Sequence, residues 1–336
     1  MGKKLFIVGN GFDLQHNISS RYQDLHTFIK ERYILHKDPF YLPGGGLLTK
    51  QFMYGYQYHD MEYVLAFLDY TLTLTEKTDN WWNIEDSLSK LYLMNEFDLN
   101  SDDPFTRIDY NESPENQIFY IGQCFRIFYI LFHLWVNQID ISKTTPNHSF
   151  QKLIDPEGDY FLTFNYTRTL EDIYHAKNVF HIHGVQGPGV KMFGHQVKDE
   201  EYIVSFCEAN CIPLSCLEGV KYLFELTEKN TRSIYENNKR YFESLDSEIK
   251  EIYSYGFSFS LVDMIYIYGI CKSLSTQNIV WFLSDYSSPE QIDEYKRMIS
   301  ASGFKGTFST FHISDSSPKG IQIKSFLKTI TKVFRK

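Results

Sequence analysis

Four short stretches combine a turn with side chains that can hold a phosphate, orient water or move a proton. The first is Gly9-Asn10-Gly11-Phe12-Asp13, which follows the apolar run Leu5 to Val8 and precedes a helical pattern after Asp13. A strand, a glycine turn and a helix, in that order, present backbone N–H groups to a phosphate. The full G-x-G-x-x-G pattern needs glycine at 14, where the chain has Leu14, so a tight strand-to-helix turn accounts for the same residues. Asp13 would repel a pyrophosphate; capping the turn or hydrogen-bonding a sugar hydroxyl are its other uses. The second stretch, Phe164-Asn165-Tyr166-Thr167-Arg168-Thr169-Leu170-Glu171, leaves a strand directly, with Thr167 or Thr169 available to start a helix. Asn165 then sits at the carboxyl end of a sheet, the edge where open α/β folds bind ligands. The plain alternative is an asparagine supporting its own turn.

The third stretch is His181-Ile182-His183-Gly184, with His195 following in Phe193-Gly194-His195. On a strand, residues 181 and 183 point to one face because side chains alternate. Three imidazoles so close invite a metal-dependent hydrolase reading, but no carboxylate completes a known ligand spacing. Cys207, Cys211 and Cys216 are irregularly spaced for zinc, and no metal is expected. The fourth stretch, Tyr255-Gly256-Phe257-Ser258-Phe259-Ser260-Leu261-Val262-Asp263, offers a second close backbone approach, with Ser260 or Asp263 as helix caps. Glu85, beside Trp81 and Trp82, is either an acid with a raised pKa or a first-turn glutamate favoured by the helix dipole.

These groups need a scaffold. Apolar runs bounded by turn residues predict strands at Leu5 to Val8, Tyr160 to Phe164, Val179 to Ile182, Ile252 to Tyr255, Ile279 to Leu283 and Thr307 to Phe311. Helical patterns lie between most of them: Thr169 to His175, Leu217 to Leu245 in one or two pieces, Asp263 to Leu274, Pro289 to Ser300, and Ile321 to Phe334. This alternation predicts an α/β fold, a mainly parallel sheet with helices on both faces. From Arg21 to Asn137 only helical patterns occur: Tyr22 to Leu35, Met61 to Leu74, Ile84 to Leu93 and Ile118 to Val136. That run reads as a large helical insertion after the first strand. The expected division is therefore a core of residues 1–20 and 138–336 with an insertion of 21–137. Lys37 to Gln57 and Asn95 to Glu115 read as surface loops.

The composition, 43% apolar and 22% charged over 336 residues, is that of a folded chain. A net charge of -9 without a basic stripe argues against nucleic acid as a partner. Five scattered cysteines fit reduced thiols in a cytoplasm better than a disulfide framework. The stretch Ile118 to Val136 carries Gln123, Arg126 and His133, which predicts a packed helix rather than a membrane span.

Taken in order, these pieces resemble the bacteriophage abortive infection AbiH family. The residues are Gly9-Asn10-Gly11-Phe12-Asp13-Leu14 with His16 and Tyr22; Trp82 and Glu85; Phe164-Asn165-Tyr166-Thr167 with Thr169-Leu170-Glu171; Ile182-His183-Gly184; Gly194-His195; and Gly256, Ser258, Asp263 and Tyr266. AbiH proteins are in turn distantly similar to the sirtuin superfamily, which implies a Rossmann-like sheet and an NAD pocket. The resemblance sets Gly9 and Gly11, with Asn10 and Phe12, against the phosphates, and has Asn165 position water or ribose. It has His183-Gly184 meet the ribose hydroxyls, and Gly256, Ser258 and Asp263 close the pocket. Thr167 stands where sirtuins carry a second acidic residue, and the paired-cysteine zinc module of the deacylases is missing. The implied activity is therefore hydrolysis of NAD at its nicotinamide bond, by a phage-defence effector. Nicotinamide leaves as a neutral ring, so the work is to stabilise an oxocarbenium-like ribose and place one water. Asn165 and His183 would handle the water, with Asp13 or Glu171 supplying negative charge. The alternative is a nucleotide-binding sensor without turnover, its helical insertion serving as the surface for a second copy or a partner defence protein.

Overall fold

The computed structural model describes residues 2–36, 64–65, 114–189, 192–195, 200–209 and 212–314. Six strands form one parallel sheet: β1 (Lys3–Val8), β2 (Tyr160–Thr163), β3 (Asn178–His181), β4 (Ile249–Tyr255), β5 (Val280–Ser284) and β6 (Thr307–Phe311). Their order across the sheet is β3-β2-β1-β4-β5-β6, every neighbouring pair parallel. This is the Rossmann strand order, whose switch point lies beyond the carboxyl ends of β1 and β4. All six predicted strands are present, and β1 is central, with Leu5, Phe6, Ile7 and Val8 buried on both faces.

The described helices are α1 (Asn10–Gln15), α2 (Tyr22–Ile29), α3 (Pro114–Val136), α4 (His148–Leu153), α5 (Thr169–Tyr174), α6 (Glu200–Ala209), α7 (Leu217–Thr227), α8 (Thr231–Asn237), α9 (Lys239–Glu243), α10 (Met264–Ser273) and α11 (Pro289–Ala301). On one face of the sheet, Leu5, Ile7, Leu162, Ile252 and Trp281 pack against residues of α8 to α11. On the other, Phe161, Phe6, Tyr253 and Phe282 stack in a ladder across four strands, with ring centroids 5.2, 5.0 and 4.5 Å apart. Each such aromatic pair adds about 0.5–1.5 kcal/mol beyond the area it buries. Phe12, Phe150, Leu170 and Tyr174 cover that face.

The helical segment after β1 draws on a second segment for its core. Residues of α2 and α3 share one apolar cluster with Ile203, Phe206 and Cys207 of α6 and Val220, Leu223 and Phe224 of α7. Among the described residues, α2, α3, α6 and α7 thus share one apolar core.

Several elements differ in detail from the sequence patterns. The first helix starts at Asn10 rather than after Asp13. The Tyr22 to Leu35 pattern divides into α2 and a π-helical stretch, Lys30–Leu35, where His36 N donates five residues back to Glu31 O. Leu217 to Leu245 breaks into three helices, because Asn230 and Asn238 stand at the starts of α8 and α9. Among the described residues no helix is long and apolar enough to cross a membrane. Trp82, Glu85, Cys211 and the Met61 to Leu74, Ile84 to Leu93 and Ile321 to Phe334 patterns lie outside the described residues, apart from residues 64–65.

Candidate functional site

The carboxyl edge of the sheet collects most of the predicted residues, in two clusters. The first forms around Asp13, which α1 carries just beyond β1 and which is buried. Its Oδ2 accepts from the Thr167 hydroxyl at 2.7 Å and its Oδ1 from the Thr169 hydroxyl at 3.2 Å. Thr167 precedes α5 and Thr169 opens it, so the helix start is used to deliver hydroxyls to Asp13. An aspartate at 167 would set two carboxylates against each other, whereas the threonine donates. Burial pushes the Asp13 carboxyl up to about 6, against the hydrogen bonds from Thr167 and Thr169 and the charge of His181. The Asn165 amide also favours its ionised form, from a position outside hydrogen-bond geometry.

Asn165 itself is 6% exposed, and both its Oδ1 and its Nδ2 lack a hydrogen-bond partner. Its backbone is fixed on two sides. The N–H donates to Thr163 Oγ1 at 3.1 Å, and the carbonyl accepts from His181 Nδ1 at 2.9 Å. The second ring nitrogen of His181 lies 3.0 Å from Glu171 Oε1. Burial raises the Glu171 carboxyl, but the hydrogen bond and charge of His181 outweigh it and the net shift is downward. Glu171 Oε2 is buried without a partner. Buried polar atoms are nearly always satisfied, so an amide with neither end satisfied beside a half-satisfied carboxylate marks a place where a ligand or water completes the set.

The second cluster is His183, Asp263 and Lys229. β3 ends at His181 and the chain turns at Ile182 and His183, so the period-two argument stops one residue early. His183 consequently parts from His181: its Nε2 lies 3.4 Å from Asp263 Oδ1, which also lies 3.1 Å from Lys229 Nζ. The Lys229 side chain is 2% exposed. Burial and the Lys229 charge push the His183 pKa down to about 4, against the pull of Asp263. Burial would raise the Asp263 carboxyl, but Lys229 and His183 bring it down to about 2. Phe164 packs edge-on against His183 at 5.1 Å.

Gly194 and His195 serve the second cluster indirectly. His195 N donates to Thr227 O, Lys229 N donates to His195 O, and the ring Nε2 lies 2.9 Å from Thr227 Oγ1. A Cβ on Gly194 would stand 2.4 Å from Thr227 O, which explains glycine there. The Gly194-His195 pair thus clamps the segment that carries Lys229. The three histidines have three separate sets of partners, and among the described residues no group of three metal-binding side chains occurs.

The glycine loops do something other than what the fingerprint suggests. Gly9 N donates to Tyr255 O, Gly11 N to Gly256 O and Phe12 N to Gly9 O, all at 3.0 Å. A Cβ on Gly9 would meet Gly256 O at 2.5 Å, and one on Gly256 would meet Phe12 N at 2.2 Å. Gly256 also has φ 66, in the left-handed region. Two loops are packed backbone to backbone across the switch point, and glycine is what permits it. Phe12 is core, ringed by Phe150, Tyr174 and Tyr255. The Asn10 side chain exchanges hydrogen bonds with Ser20. Gly184 N donates to His181 O, and Ser258 is exposed at the loop surface.

Sequence reasoning missed Lys229. A lysine in Thr227-Glu228-Lys229-Asn230 between two helices has the signature of a solvated turn, and only the fold turns its side chain inward.

A parallel sheet in Rossmann order with a buried polar carboxyl edge defines the class as a Rossmann-like α/β protein. More particularly, the sequence model of the bacteriophage abortive infection AbiH family matches residues 5–285, and the chain belongs to that family. The family places it among phage abortive-infection proteins. No curated protein and no solved structure matches the chain.

Proposed function

We propose that this chain is an abortive-infection effector that hydrolyses the nicotinamide glycosidic bond of NAD at the Asp13–Asn165 cluster. The observation that carries the reading is the Asn165 amide, buried at the carboxyl edge of the sheet with donor and acceptor both unused. Such an amide can hold a water by both of that water's roles. Asp13, at about 6, is largely ionised at neutral pH and basic enough to take the proton that the attacking water releases. The balance closes: water adds to the ribose carbon, the ring nitrogen keeps the bonding pair and leaves as neutral nicotinamide, and the proton passes to Asp13. His183, held neutral by burial and by Lys229, is suited to accept a hydrogen bond from a ribose hydroxyl.

A second reading, a nucleotide-binding sensor without turnover, is favoured by one observation. Residue 167, whose hydroxyl donates to Asp13 Oδ2, is a neutral threonine and not a second acidic group. One experiment separates the two. Purified protein is incubated with NAD, release of nicotinamide and ADP-ribose is measured by mass spectrometry, and binding is followed in parallel. Equal release of both products, reduced at least about a hundredfold in Asn165→Ala and in Asp13→Asn, is the expected result. Undiminished turnover by Asn165→Ala would overturn the site, and binding without turnover would favour the sensor. Neither binding nor turnover would remove both readings.

A further inference from the structure

A cavity of about 810 Å³ opens away from the Asp13 cluster, between α3, the Met192–Phe193 strip and the junction of α7 with α8. Its size is that of a small-molecule site. Phe125, Tyr129 and Phe193 supply aromatic wall, and Glu225 and Glu228 stand on one side of it. Among the described residues, neither glutamate side chain has a hydrogen bond or ion pair. The two cations of the wall are otherwise engaged. The Lys229 ammonium turns inward to Asp263 at 3.1 Å, and the Arg126 guanidinium lies over the Tyr222 ring at 5.5 Å. The wall therefore combines aromatic side chains with two carboxylates against one cation, Arg126, that has no carboxylate partner among the described residues.

The geometry points to a second binding site here, for an organic cation with a flat apolar body. Aromatic faces attract such a cation through their quadrupoles, and paired carboxylates supply the charge that the wall leaves unmatched. Burial and the neighbouring Glu225 raise the Glu228 carboxyl, the mark of a negative charge without local compensation. A bound cation would relieve that repulsion. An anion of the same shape would meet two carboxylates and be rejected. The site is independent of the NAD reading, since none of its wall residues belongs to the Asp13–Asn165 cluster. Lys229 alone links it to the second cluster, as a residue of the cavity wall whose ammonium lies on Asp263.

The test uses the full chain with benzyltrimethylammonium as the probe and benzoate as its anionic counterpart, followed by saturation-transfer NMR and calorimetry. Saturable binding of the cation is expected, with none of benzoate. Glu225→Gln/Glu228→Gln protein should bind the cation at least about tenfold more weakly, and Asn165→Ala protein should bind it unchanged. The single variant Glu228→Gln, with circular dichroism on both proteins, guards against a folding defect and should show an intermediate loss. Absence of saturable binding, equal binding of benzoate, or undiminished affinity in the folded double variant would each overturn the assignment. Loss of NAD turnover without loss of cation binding would count against the Asp13 site alone.

Discussion

Asp13 and Asp263 are the same residue type, both buried, both near the carboxyl edge of one sheet, and their carboxyls shift in opposite directions. Asp13 rises to about 6 and Asp263 falls to about 2. Burial acts upward on each. The difference is in the partners: two hydroxyls at Asp13, and a buried ammonium with an imidazole at Asp263. Hydroxyls orient a carboxylate without neutralising it, so it retains basicity; an ammonium fixes its charge and removes that basicity. The first arrangement suits proton transfer, the second architecture.

The largest way to break the comparison is Lys229→Met. It leaves Asp263 as a buried charge without its cation, and a loss of about 3–5 kcal/mol in denaturant unfolding is expected. Adding Asp263→Asn should recover much of it. Next is the acid limb of the stability curve. The His183 pKa is about 4 when folded against 6.5 otherwise, so wild type is stabilised above pH 6.5 and loses about 3 kcal/mol as pH falls through 4. His183→Gln should flatten that limb when unfolding is measured across it.

Asp13 runs the other way. Well below pH 3.8 its carboxyl is protonated whether the chain is folded or not. As pH rises through about 6, folding must place a charge in a dry site that the unfolded chain leaves in water. Asp13→Asn should therefore gain about 3 kcal/mol relative to wild type between pH 4 and pH 8, while losing activity. Smallest is Thr167→Val, which deletes one donor to Asp13. A cost of about 1–2 kcal/mol at pH 8 is expected, shrinking at pH 4 where the carboxyl is protonated.

The sheet was legible because each strand is a short apolar or aromatic run ended by a turn residue, a pattern that survives any tertiary context. Its strand order was not, since nothing local in Leu5 to Val8 says that β2 and β4 flank it. Asn165 and Asp13 were legible by position, Asn165 two residues beyond a strand and Asp13 in the glycine turn and helix start that follow one. The glycines were ambiguous for a physical reason: a phosphate and a neighbouring backbone both require a missing Cβ, and Gly256 occupies the space against Gly9 and Gly11. His181 and His183 misled because one turn residue separates a strand from its end. Lys229 gave no signal, because inward charge depends on a partner 34 residues away, Asp263.

The glycine interlock also has a consequence in time. Gly9 and Gly11 donate to carbonyls of residues 255 and 256. While the chain is being made, β1 emerges first and its closing partners arrive some 240 residues later. At ribosomal speeds of about 5–20 residues per second, the first turn waits roughly 10–50 s for them. The strand made first is thus not sealed until β4 arrives, and the nascent chain holds an open edge along β1 until then.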